Sequence, residues 1–109
     1  MQIRISGKNI ETGQALQQQV TEKIQKSVTK YFDKAIDADA IFGKRGPFFT
    51  TELIINEGVK DGIIIKSEAE ADEIHASFEL ALEKADKQLR RYKRKIKDHH
   101  KKPLDAVSA

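Results

Sequence analysis

The chain has 109 residues, 39% of them apolar and 34% charged, with 20 Lys and Arg against 17 Asp and Glu. This length fits one domain with a modest core, and the absence of cysteine excludes disulfides, thiolate metal sites and thiol chemistry. Residues Met1 to Ser6 carry no charged leader ahead of an apolar run, and no pure apolar run exceeds a triplet such as Ile63 to Ile65. Neither a secretory signal nor a membrane helix is expected, and the expected location is the cytoplasm.

Met1, Ile3 and Ile5 alternate with polar residues, the period of a strand with one buried face, and Gly7 ends it. Thr12 offers a capping oxygen to a helix expected from Gly13 to Asp33, in which Leu16, Val20, Ile24, Val28 and Phe32 form an apolar stripe. Lys23, Lys26, Lys30 and Lys34 form a second, solvent-facing stripe at the same spacing. Ala38, Ala40 and Phe42 predict a short strand, broken by a basic loop from Gly43 to Pro47. A third strand is expected around Phe49 to Ile55, a turn from Glu57 to Gly62 with the hairpin pair Asp61-Gly62, and a fourth strand from Ile63 to Glu68. These three strands read as an antiparallel meander.

Asp72 can cap a second helix with Ile74, Phe78, Ala81, Leu82, Ala85, Leu89, Tyr92 and Ile96 on one face. From Asp72 to His99 such a helix is about 42 Å long, more than the roughly 17 to 26 Å of strands of five to eight residues, so its last turns should project beyond the sheet. A weakly structured, Pro103-containing tail is expected after it. The fold class is α+β in the order β-α-β-β-β-α, a four-stranded sheet with two helices on one face. Residues 1–100 form the domain, and 101–109 a tail or the start of a linker.

Between Lys84 and Lys102 lie ten of the 20 basic residues and only two acids, Asp86 and Asp98, so the rest of the chain is net acidic. Lys84, Lys87, Arg91 and Arg94 form one row on the second helix, with Arg90, Lys93 and Lys97 beside it. Cations near a helix C-terminus meet the negative end of its dipole, but like charges at this spacing repel by roughly 0.2 to 0.5 kcal/mol per pair. A polyanion relieves that repulsion, and nucleic acid is the natural one. Lys23, Lys26 and Lys30, with Lys44 and Arg45 from the loop, extend the surface, and the two helical stripes are expected to merge into one groove that tracks a phosphate backbone. Tyr31 and Tyr92 border the apolar stripes, where boundary contacts are favoured over base stacking.

Other chemistry is not expected. Gly43-Lys44-Arg45-Gly46 lacks the Walker spacing and its terminal Lys-Ser/Thr pair. His99 and His100 point to different sides of a helix far from His75, so no metal site is read, and no cofactor. Glu68, Glu70, Asp72 and Glu73 surround the start of the second helix, where negative charge is favoured. Nothing pairs a nucleophile with a base, which reads as a non-enzyme.

The order Ile3-x-Ile5-x-Gly7-x-Asn9-Ile10, then Ala15-Leu16, Val20-x-x-Lys23-x-x-Lys26 and Tyr31-Phe32-Asp33, then Asp72, Leu82-x-Lys84-x-x-Lys87-Gln88-Leu89 and the following basic run, resembles the bacterial ribosome hibernation factors, the family of hibernation-promoting factor and ribosome-associated inhibitor, formerly called sigma-factor modulation proteins. The resemblance covers Met1 to about His100. It implies a fold similar to double-stranded RNA-binding domains and binding in the decoding channel of the small ribosomal subunit, which blocks messenger and transfer RNA. It also implies rRNA contacts at Lys23, Lys26, Lys84, Lys87, Arg91, Lys93, Lys95 and Lys97. Where relatives commonly open the second helix with an Asp-Met-Tyr-Ala-Ala-like segment, this chain has Asp72-Glu73-Ile74-His75-Ala76. The family has short members and long members with an added dimerisation domain, and this chain is expected to be monomeric or weakly self-associating, with dimerisation left to such a C-terminal domain. A general double-stranded RNA-binding module and an adaptor for an acidic protein are the alternatives.

Overall fold

Period-two alternation near the amino terminus and period-four stripes further on resolve, in a computed structural model, into six elements. Residues 1–58 and 64–108 are described, with side chains of the last helix described up to residue 96. The elements are β1 (Gln2–Gly7), α1 (Gln14–Thr29), β2 (Asp37–Arg45), β3 (Phe48–Asn56), β4 (Ile64–Ala71) and α2 (Ile74–Ser108). The sheet order is β1-β2-β3-β4. β1 pairs with β2 in parallel, which requires the α1 crossover, and β2-β3 and β3-β4 form the expected antiparallel meander.

One face of this sheet carries both helices. Val20, Ile24 and Val28 of α1 and Ala81, Ala85 and Leu89 of α2 are fully buried with Ala38, Ala40, Phe42, Leu53 and Ile55 of the sheet. Alanines at four of these positions leave room for the larger side chains of facing elements. Phe42 and Phe78 meet at 6.2 Å between ring centroids in a tilted pair, joining β2 to α2. The buried hydroxyls of Thr51 and Ser77 lie 2.7 Å apart, and Ser77 Oγ also reaches Ile74 O at 2.8 Å, so the first turn of α2 is bonded to β3.

Local details differ from expectation for physical reasons. α1 ends at Thr29 rather than Asp33 because Val28 O accepts from the N–H of both Tyr31 and Phe32. This turn delivers Ile36 to the sheet, where its N–H donates to Asn56 O and its carbonyl accepts from Gln2 N. Lys34 therefore lies outside the helical lysine stripe. Gly13, not Thr12, is the N-cap, and Thr12 Oγ1 instead accepts from Gln17 Nε2 at 3.0 Å. β2 runs through Gly43, Lys44 and Arg45 to a two-residue turn at Gly46-Pro47, with Arg45 opposite Phe48. Gly46 has φ +60°, the left-handed value that a primed hairpin turn needs at its first position. The expected basic loop is thus paired strand.

β4 extends to Ala71, and α2 begins at Ile74 rather than at Asp72. Its carboxyl end continues to Ser108, so the tail expected to be weakly structured from Lys101 is helical. Proline removes one N–H donor but its fixed φ is close to the helical value, which allows a helix to pass through Pro103 at the cost of a bond. The Asp61-Gly62 turn lies outside the described residues. Among the described residues no helix is long and apolar enough to cross a membrane.

Candidate nucleic-acid interface

At 35 residues, α2 is about 52 Å long, whereas the nine residues of β2 or β3 span roughly 30 Å. The molecule is accordingly elongated, 57 × 24 × 18 Å. The apolar face of α2 is buried from Phe78 to Leu89 and half-buried at Tyr92 and Ile96 beyond it. The cation-rich part of the helix therefore lies where it leaves the core.

The expected interface residues fall into two groups. Lys23 of α1 and Lys30 at its C-cap each face a carboxylate of α2: Lys23 bonds Glu79, and Lys30 Nζ lies 3.2 Å from Asp86 Oδ1. Both partners are seven residues apart on their helices, two turns each, so the two ion pairs form successive rungs. Asp86 also accepts from the Tyr31 hydroxyl at 3.2 Å. Its hydrogen bond and its charge raise the pKa of Lys30. On α2, Lys87 lies 3.7 Å from Glu83, and Lys84 Nζ donates to the backbone carbonyl of Glu68 at 2.9 Å. The two basic stripes consequently do not merge directly; acids line the seam between the helices.

The second group is Lys26, Arg90 and Arg91, which are exposed and form no ion pair among the described residues. Arg94 and Lys95 are exposed beside them, and the Lys97 side chain lies outside the described residues. Lys93 is half-buried with its ammonium 5.3 Å from the centroid of the Phe32 ring, a cation–π contact that fixes where its charge sits. Phe32 in turn meets Tyr92 at 5.9 Å, so Tyr92 packs at the boundary, as Tyr31 does through Asp86.

Lys44 and Arg45 do not act together. Strand alternation sends them to opposite faces: Lys44 approaches the Phe49 ring at 5.3 Å, while Arg45 lies 3.8 Å from Glu70 on the uncovered face of the sheet. That face also holds Arg4, bonded to Asp39 at 2.6 and 2.9 Å. The hydrogen bond from Arg4 lowers the pKa of Asp39. Among the described residues no group of three His, Cys, Asp or Glu side chains is arranged to hold a metal. The side chains of His99 and His100 lie outside them. The residues missed from sequence are Glu79, Glu83 and Asp86, whose signal is present: their spacing of four and three places them on one side of α2, and the seven-residue step matches Lys23 and Lys30.

The family model described as "Sigma 54 modulation protein / S30EA ribosomal protein" matches residues 3–97. The chain belongs to this family. It is 36% identical over 100 residues to the ribosome hibernation promotion factor of Rhizobium meliloti, covering 92% of this chain and 52% of that protein. Against the factor of the same name from Bradyrhizobium diazoefficiens it is 31% identical over 109 residues, covering 100% of this chain and 53% of that one. The chain thus spans about half the length of these two relatives. The ribosome hibernation promoting factor of Escherichia coli K12 is 28% identical over 99 residues, with 91% of this chain and 100% of that protein covered. Among solved structures, a ribosomal subunit interface protein from Coxiella burnetii superposes with a TM-score of 0.72 at 21% identity, covering 86% and 99% of the two chains. The Thermus thermophilus Protein Y N-terminal domain gives 0.71 at 20% identity, covering 84% and 99%. These two share its β-α-β-β-β-α fold.

Proposed function

We propose that this domain is a ribosome-associated translation inhibitor that binds the small ribosomal subunit in its decoding channel and excludes messenger and transfer RNA. Family membership and the names of the relatives support association with the ribosome in hibernation. The observation that carries the finer reading is the run of exposed cations on the part of α2 that leaves the core, with Arg90 and Arg91 free of ion pairs among the described residues. Such a rod can enter a channel walled by phosphates and hold by charge, without a base-reading pocket. Arg90, Arg91, Arg94 and Lys95, with Lys26, make the primary rRNA contacts. Lys93 adds a charge held at Phe32, and Lys97 continues the run. Lys23, Lys30, Lys84 and Lys87 are secondary, since each must leave an internal partner to meet a phosphate. Occlusion needs no catalytic step and no cofactor.

Hydroxyl-radical footprinting of rRNA on purified small subunits tests this. Protections clustered in the decoding channel, lost on changing Arg91 and Arg94 to Glu, are expected. Protections scattered over exposed rRNA helices would instead indicate a general RNA-binding module.

A further inference from the structure

β4 is an edge of the sheet and bonds to β3 on one side only. Such an edge is a template for pairing with another strand. Here two of its outward carbonyls are covered by side chains of α2: Gln88 Nε2 donates to Lys66 O at 2.7 Å and Lys84 Nζ to Glu68 O at 2.9 Å. The spacings fit, because residues 66 and 68 point their backbone groups the same way along a strand while residues 84 and 88 are one turn apart on a helix.

The edge beneath these caps is complementary to itself. Antiparallel pairing of β4 with β4 of a second copy, centred on Ser67, sets Lys66 opposite Glu68 on both sides of the two-fold axis and Ile65 opposite Ala69. Lys66 and Glu68 are also the residues whose backbone groups face outward, so each such pair can exchange both N–H···O bonds, and opposite charges directly across an antiparallel pair are favourable. β4 contains neither proline nor glycine to disrupt the ladder.

We propose that Lys84 and Gln88 form a latch that keeps the β4 edge closed, and that the partner the open edge fits is β4 of a second copy of this chain, joining two sheets into one. Lys84 also belongs to the surface assigned above to rRNA, so a phosphate that draws its ammonium away frees Glu68 O but leaves Gln88 on Lys66 O, and the edge stays half-closed on the ribosome. That coupling rests on the functional reading; the latch does not.

Sedimentation velocity on the isolated protein tests the latch without ribosomes. The variants are Lys84→Ala with Gln88→Ala and, to keep the side-chain stems, Lys84→Met with Gln88→Met, with circular dichroism as the check on folding. The unaltered protein should remain monomeric, and the latch-free variants should self-associate at least about tenfold more tightly, because freed carbonyls gain backbone donors from the second copy. In the latch-free background, Lys66→Glu alone or Glu68→Lys alone should restore the monomer, and an equimolar mixture of the two should form a heterodimer. Folded latch-free variants that stay monomeric, or a dimer indifferent to both charge reversals, overturn the proposal.

Discussion

Changing Arg91 and Arg94 together to Glu should weaken ribosome binding far more than changing Lys23 and Lys30 together to Gln, although each double change touches two of the expected interface residues. Each phosphate contact contributes about 0.9 to the slope of log K against log salt, so losing two should flatten that slope by roughly 2. Extrapolated from 1 M to 0.15 M salt, the same slope makes each contact worth about fivefold, and two worth about thirtyfold, before repulsion by the new carboxylates is added. Arg91 and Arg94 are exposed and opposite the buried stripe, so the substitutions should leave the fold intact. Lys23 and Lys30 already face Glu79 and Asp86. A phosphate there replaces an internal partner rather than a counterion, and the expected change in slope is well below one per lysine. Cosedimentation with small subunits across a series of salt concentrations reads both quantities. Equal losses for the two pairs, or no loss for the arginines, would refute the division of the surface into paired and available cations.

Other perturbations test the core and its linked protons. Leu89→Ala, at a fully buried position between α2 and the sheet, should destabilise by about 2 to 5 kcal/mol in urea denaturation. Ser77→Ala leaves the buried Thr51 hydroxyl without its partner and should cost about 1 to 3 kcal/mol. Glu57 is 2% exposed, its Oε2 has no hydrogen-bond partner among the described residues, and burial raises its pKa. The folded state therefore holds this proton to higher pH than the unfolded chain, so its contribution is best below the unfolded carboxyl value of about 4.3 and is lost as pH rises through the folded value. Glu57→Gln should raise the melting temperature at pH 7 and flatten its pH dependence above pH 4; a lower melting temperature at pH 7 would show that the charged form is supported. In sucrose gradients this chain alone should yield no ribosome-dimer peak.

The element order and both helices were legible because each element is amphipathic at its own period: alternation at Ile3 and Ile5, steps of four from Leu16 to Phe32, steps of three and four from Ile74 to Ile96. Element ends were less so. Gly43 reads as a breaker, yet the ladder between Gly43 and Thr50 continues because a glycine within a strand loses only side-chain contacts while the hairpin turn sits three residues on. Asp72 reads as a cap, but β4 runs to Ala71, and the chain needs two more residues to enter α2. The positions of the basic residues were legible as well. Their partners were not, since the pairing of Lys23 with Glu79 and of Lys30 with Asp86 depends on how closely the two helices pack across the same face. The capping of β4 by Lys84 and Gln88 was hidden for the same reason: a lysine on a helix face carries no sign in sequence of the strand edge beside it.

Occlusion of the decoding channel is open to a direct test by competition on the small subunit. Purified subunits are saturated with this protein, challenged with increasing messenger RNA, and sedimented, with both components quantified in the subunit peak. One copy of the protein per subunit and mutual exclusion are expected, each component displacing the other. Full simultaneous occupancy by the protein and a messenger seated in the channel would contradict it.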